Sequence, residues 1–352
     1  MADSNVYARY ENFRIEPSGG ISSQGADWHK HVEGTCRIVE LRGPAKHVSE
    51  HGHALFEDAR LLAVIAGMTR RKSNFFTETA WHTIPWTSSP RSLHDKLVDV
   101  MITLPRLLQS QDDLTQILES IETDKDRFEG LTEGQKHLAR CIRIEESLRE
   151  WERTAVQICL EQSVNPATNF TGPVTLLDVC KNHGYGFFNV CMQFWVATLL
   201  LYATTWISYR KVMLAIQPDQ IPSLPTWMRL PDIPEWMNPR PLASNIAACA
   251  PHYFSPNAGF WGAQCASLPV GAALHYYAAT GGSDSEEMAQ LRRLFDQANL
   301  GEVTSNFLKS IANTGNSAQG DPSKSQDHQR MATSWYGVDG IRRSSSSSTE
   351  QL

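Results

Sequence analysis

The chain is short of positive charge. Its 32 lysines and arginines are outnumbered by 38 aspartates and glutamates, for a formal net charge of -6, so no overall basic field is available to hold a polyanion such as nucleic acid. Cysteine is present but scattered. Cys36, Cys141, Cys159, Cys180, Cys191, Cys249 and Cys265 are odd in number and no two lie within five residues of each other. That spacing excludes a zinc-ligand pattern or a disulfide framework, and the thiols are expected to be buried apolar groups in a reducing compartment. The polar start Met1-Ala2-Asp3-Ser4-Asn5 lacks the apolar core of a secretion signal. The sequon Asn169-Phe170-Thr171 is therefore expected to go unused. Also missing are Gly-x-x-x-x-Gly-Lys, Gly-x-Gly-x-x-Gly and Gly-x-Ser-x-Gly, which removes the phosphate loop, the dinucleotide loop and the nucleophile elbow. No carboxylate pair stands out. No enzyme activity is expected, and no catalytic, cofactor-binding or metal-binding residue and no cofactor is assigned. Apolar-polar alternation persists nowhere, so strands are not expected and the fold class is all-α.

What is present is helical period. Leu55, Phe56, Ala59, Leu62, Ala63, Ile65 and Ala66 recur at three- and four-residue steps, the pattern of a helix burying one broad face. Gly52 before them and Gly67 near their end read as punctuation. A short helix and a Gly43-Pro44 loop are expected ahead of this helix, and Trp81 and Trp86, flanking Pro85, should anchor the loop after it. From Leu93 through Leu97, Val100, Met101, Leu104, Leu107 and Leu108 a second period runs, with Pro105 expected to end or kink it. Asp113 to Glu122 continues as an acidic-apolar helix. Thr132-Glu133-Gly134-Gln135 has the form of a capping box. It would open a helix whose seam, Leu138, Cys141, Ile144, Leu148, Trp151, Ala155 and Ile158, fits either internal packing or a coiled-coil contact with another chain.

Between Lys181 and Arg210 there is no Asp, Glu, Lys or Arg. The length suits a membrane span over residues 184–208, but Asn189, Gln193, Thr198, Thr204, Thr205 and Ser208 interrupt it, and a central helix of a large all-α domain fits as well. Residues 218–241 hold seven prolines with Trp227 and Trp236 between them, which excludes regular helix and makes this a loop docking its tryptophans or a proline-rich ligand. Helical patterning resumes at Ile246, Ala247, Tyr253 and Phe254, and again from Pro269 through Tyr277 and Met288 to Phe295. The organisation expected is a flexible segment at 1–26, a helical domain at 27–309, and a disordered Ser-rich tail at 310–352.

Three groups of residues have the elements of chemistry. His47-Val48-Ser49-Glu50-His51 is a His-x-x-Glu-His. On one helix, His47 and His51 would share a face and bind zinc, with Glu50 as general base, which gives a zinc-dependent hydrolase as an alternative function. The other reading is a surface histidine cluster. His29 and His31 are a weaker pair, expected to pack or hydrogen-bond. Arg70-Arg71-Lys72 either touches phosphate or complements a helix C-terminus.

Order along the chain carries one further signal. Trp28, His31 and Gly34 form a Trp-x-x-His-x-x-Gly; Arg42-Gly43-Pro44 follows; Gly52, Leu55 and Phe56 form a Gly-x-x-Leu-Phe; then come Arg60, a basic-aromatic run, and Trp81 to Pro85. Later, Asn245 to Tyr277 runs from an Ile-containing helix through Tyr253-Phe254 and the glycines Gly259 and Gly262 to Pro269 and a tyrosine pair. This order resembles the middle regulatory region of fungal zinc-cluster transcription regulators, the fungal-specific transcription factor domain, over roughly residues 27–308. The resemblance implies a large helical regulatory domain in a nuclear protein. It implies action by protein contact, with another transcription regulator or as a homodimer through helical surfaces, and control of a secondary-metabolite gene cluster. The six-cysteine segment with which such regulators read DNA is absent from this sequence, so direct DNA binding is not expected of it. Membrane association through residues 184–208 is a second alternative.

Overall fold

A computed structural model of the chain describes residues 21–162, 174–180, 183–215, 230, 232–255, 258–280 and 285–294. Of these residues 84% are helical and none is in a strand, so the fold is all-α. The tail beyond 310 and most of the proline-rich stretch, including Trp227, lie outside the described residues.

The first helix, α1 (Ile21–Arg42), opens inside the segment expected to be a flexible lead-in. It stops where Gly43 takes a φ of 72°, a conformation a side chain resists. A 3-10 turn over Pro44–His47 leads to α2 (Glu50–Arg70), which packs on α1. Gly52 and Gly67 lie inside α2 and not at its ends, and their role is close approach. A Cβ on Gly67 would stand 2.9 Å from Pro105 Cγ, and one on Gly52 would strike the Lys46 carbonyl. The helix actually ends at Arg71, a left-handed residue whose N–H reaches back to the last turn.

Two 3-10 turns and the short helix α3 (Thr79–Thr83) carry the chain to Trp86. Ser92 then caps α4 (Leu93–Met101) in a reciprocal box with Asp95. Pro105 neither ends nor kinks a helix: it sits in the first turn of α5 (Leu104–Glu119), where a missing N–H leaves no intrahelical bond unmade. The long helix α6 (Asp124–Gln162) starts eight residues before Thr132. Its box is Thr123 with Asp126, each accepting from the other's backbone N–H at 3.2 and 2.9 Å. The Thr132 hydroxyl instead donates to the Phe128 carbonyl one turn back. The seam expected on α6 is used within the chain: Leu138, Cys141, Leu148, Trp151 and Ala155 are buried, mainly against α8, α5 and α4.

After α7 (Leu176–Cys180) comes α8 (Tyr185–Ala215), in which every residue from Cys191 to Thr205 is buried. It is the one helix among the described residues long and apolar enough to cross a membrane, and 83% of its most apolar window is covered by the protein. A helix apolar on all sides is what a core position requires. Several of its polar side chains find partners inside the protein. Thr198 and Thr205 donate to the carbonyls of Phe194 and Leu201, Asn189 accepts from the Tyr253 hydroxyl at 2.8 Å, and Gln193 meets His94 at 2.9 Å. Against α8 also pack α9 (Arg240–Cys249) and α10 (Gly259–Ala279), with α11 (Glu286–Leu294) on α9 and α10. Pro269, expected to lead a helix, lies in the interior of α10. Five of the seven cysteines are buried and none is in a disulfide.

Candidate functional site

Phe56 of the Gly-x-x-Leu-Phe element and the tryptophans flanking Pro85 gather around one cation. Arg60, on α2, is 2% exposed. Its guanidinium lies 5.2 Å from the Phe56 ring centre and 5.0 Å from that of Trp86, an electrostatic attraction that desolvation strengthens. It pairs with Asp99 and stands 3.8 Å from Asp95, both on α4. Burial pulls the Arg60 pKa down, opposed by the two carboxylates. Burial alone would raise Asp99, but His82, Arg60 and Arg91 together hold it below the usual carboxylate range. Phe76 and Trp81 close the ring cluster, with centroids 5.9 and 6.1 Å from Phe56. Thus α2, α4 and the 75–86 connection are fastened at a single charged point. The earlier Trp-x-x-His-x-x-Gly element is not brought into it: Trp28 is half-buried, and His31 and Gly34 are exposed on α1.

The His-x-x-Glu-His residues do not share a helix. His47 ends the 3-10 turn, Ser49 is extended, and Glu50 and His51 begin α2. Both His47 ring nitrogens face backbone carbonyls, Gly52 O at 2.8 Å and Val39 O at 3.3 Å. The ring is fully buried and joins the turn to two helices, whereas His51 is exposed. Among the described residues no three His, Cys, Asp or Glu side chains are grouped to hold a metal ion. His29 meets the Thr69 hydroxyl at 3.4 Å, and burial followed by the charge of Arg70 lowers its pKa.

Of the basic run, Arg70 and Lys72 stay exposed and Arg71 is turned into the protein. Arg70 pairs with Glu33 across α1 at 3.0 Å. Arg71 is buried and donates to Asp112, to the Leu108 carbonyl and to the Gln111 side-chain oxygen at 2.7 Å. From Gln111 a polar chain continues through the core. Its amide donates to Ser208 Oγ at 3.2 Å, Ser208 meets His137 Nε2 at 3.0 Å, and His137 Nδ1 meets Ser110 Oγ at 2.9 Å. Burial, then the nearby charges of Arg140 and Arg71, push the His137 pKa from 6.5 down to about 4. A neutral ring suits two hydroxyls, one donating and one accepting. Sequence reasoning passed over this network, although Gln111 and His137 follow the buried spacing Leu104, Leu107, Leu108 and Gly134, Leu138, Cys141. A polar residue on an apolar stripe was the available signal.

A cleft of about 420 Å³ opens between α6 and α8 beneath the described end of the proline-rich loop. Glu145, Arg149, Glu152 and Arg153 line it from α6, Phe194, Thr198 and Tyr202 from α8, and Trp236 from the loop. The loop is held there by the Trp206 indole, which donates to the Met237 carbonyl at 2.7 Å, and by Met237, which is buried. The docking of a tryptophan from this loop was expected; Arg149 and Glu152 were not singled out, because ordinary helix charges carry no sequence mark.

Comparison of the chain with protein-family models, with curated proteins and with solved structures yields no match.

Proposed function

We propose that this chain is a regulatory protein of the fungal zinc-cluster type that works by protein contact and not by catalysis. It would act in the nucleus, without a DNA-reading segment of its own in this sequence, by pairing with a complete regulator or with a second copy of itself. The genes under its control would include a secondary-metabolite cluster.

The observation that carries this reading is the fate of the ordered motifs. Phe56, Arg60, Trp81 and Trp86 are separated by up to 30 positions, yet they serve one packed unit around the Arg60 guanidinium. Residues that share one physical task have a reason to occur together in a fixed order, which supports reading the resemblance as that of a whole folding unit. Exposed apolar side chains at Ile38 and Leu41, three residues apart on α1, add surface suited to contact. The test is transcript profiling after deletion of the gene. Altered expression of a secondary-metabolite cluster, restored by the intact chain, is the expected result. Unchanged transcripts under conditions in which the protein is made would count against the proposal.

A further inference from the structure

The charges lining the cleft between α6 and α8 are not all paired within it. Glu145, whose side chain is only 5% exposed, is paired with Arg149 and receives the Tyr202 hydroxyl at 3.4 Å. Arg153 turns outward to Glu150 at 2.5 Å. Glu152 remains, half-buried in the wall, and among the described residues it makes no hydrogen bond or ion pair. Burial, opposed by the charge of Arg149 and reinforced by that of Glu145, holds its carboxyl above the usual range, the direction expected of a half-buried acid with no counter-ion in contact. With Arg153 turned to Glu150, Arg149 is the one lining guanidinium left to serve both Glu145 and Glu152, and its contact is with Glu145.

Its other walls are ring faces. Trp236 is 46% exposed, and Tyr202 meets it edge to face at 6.2 Å. Phe194 lines the inner end. The Trp236 face already attracts one cation: the Arg149 guanidinium lies 3.2 Å from its ring centre. Electron-rich faces beside an unpaired carboxylate, in a recess partly closed to water, favour a cation with an apolar body over an anion or a neutral solute.

We infer that this cleft is a binding site for a small organic monocation, an ammonium group carried on an apolar skeleton, with Glu152 as its counter-ion and Trp236 and Tyr202 as its walls. The ammonium hydrogens donate to the Glu152 carboxylate. The skeleton packs toward Phe194, and the ligand gives Glu152 a counter-ion in direct contact. This site goes beyond the regulatory reading and does not depend on it.

The test is calorimetric titration of the purified full chain with 2-phenylethylammonium, 2-phenylethanol and 3-phenylpropionate, which share a phenyl group and differ in charge. Saturable one-site binding of the ammonium with a Kd below about 1 mM is expected, with the alcohol and the carboxylate at least about tenfold weaker. Glu152→Gln should weaken ammonium binding at least about tenfold, and Glu152→Asp should preserve the preference for the cation. The inference is overturned if the ammonium does not bind up to about 10 mM, if the carboxylate binds as well, or if a folded Glu152→Gln variant binds as tightly as the parent. Should a variant fail to fold, the comparison of the three probes on the unaltered chain still decides.

Discussion

Lowering the pH from about 7.5 to about 5 should cost this fold about 2 kcal/mol through His137 alone. The imidazole is buried between two serine hydroxyls, and its pKa falls from 6.5 in the unfolded chain to about 4 in the folded one. Between those values the unfolded chain binds the proton and the native chain does not, so stability rises with pH across the interval and is lost as pH falls. At about pH 5 the unfolded ring is almost wholly protonated and the native ring about one-tenth so, which gives the figure above; well below pH 4 the loss approaches about 3 kcal/mol. The structural reason is specific. A charged ring would turn both nitrogens into donors beside Arg71 and Arg140, while Ser208 already accepts from Gln111. His275 is lowered to about 4 by burial and adds a loss of the same sign, so the His137 share must be isolated by difference. Urea unfolding followed by helical circular dichroism at both pH values, on the parent and on His137→Gln, isolates it. Glutamine keeps a donor and an acceptor but cannot titrate. The variant should lose about 2 kcal/mol less than the parent on acidification. Equal losses in the two proteins would mean that protonation of His137 does not set the acid sensitivity of the fold.

Other parts of the structure set further expectations. Arg60→Met leaves Asp95 and Asp99 facing an apolar cluster without their principal cation, and should cost about 3–5 kcal/mol in urea unfolding. Arg71 adopts φ 52°, so if backbone strain mattered most, Arg71→Gly would stabilise. Loss of its bonds to Asp112, Leu108 and Gln111 should instead lower stability by about 2 kcal/mol, measured in the same way. A Cβ at Gly134 would stand 2.7 Å from Val212 Cγ2. Gly134→Ala should therefore destabilise by about 1–3 kcal/mol, and Val212→Ala in the same chain should recover part of that, a coupling that a double-mutant cycle reads directly. At Gly262 the obstacle is the Tyr253 carbonyl, a backbone atom, so Gly262→Ala should lower the melting temperature with no side-chain substitution able to restore it.

Much of this architecture was legible in the sequence because burial repeats with the helix period. The face of α2, the seam of α6 and the uncharged run of α8 were plain, and so was the all-α class. Of the polar residues within α8 that argued for a protein interior, Asn189, Gln193, Thr198, Thr205 and Ser208 find hydrogen-bond partners for their side chains there. The ends of helices were harder to place. Thr132-Glu133-Gly134-Gln135 has the letters of a capping box but sits in mid-helix, because the apolar contacts of Gly130 and Leu131 extend α6 upstream of it. Pro105 was legible as a discontinuity but not as a beginning, since both roles satisfy the same constraint on its missing N–H. His47 and His51 appear helix-spaced only if the segment is one helix. Pro44 fixes a 3-10 turn and Ser49 an extended residue, and a short pattern cannot show that break. The polar network from Arg71 to Ser110 and the cleft at Trp236 join elements far apart in the chain. No local pattern announces which charge will be left without a partner.

Regulation by protein contact, as proposed for this chain, can be tested by supplying the chain with a DNA reader. The full chain, fused to a heterologous DNA-binding module and expressed in a filamentous fungus, would be assayed on a reporter bearing the module's site. Reporter output should rise or fall several-fold, and Arg60→Met, which disrupts the motif-bearing unit, should abolish the change. A fusion that is nuclear, intact and bound at the site yet leaves the reporter at the level of the module alone would contradict the claim.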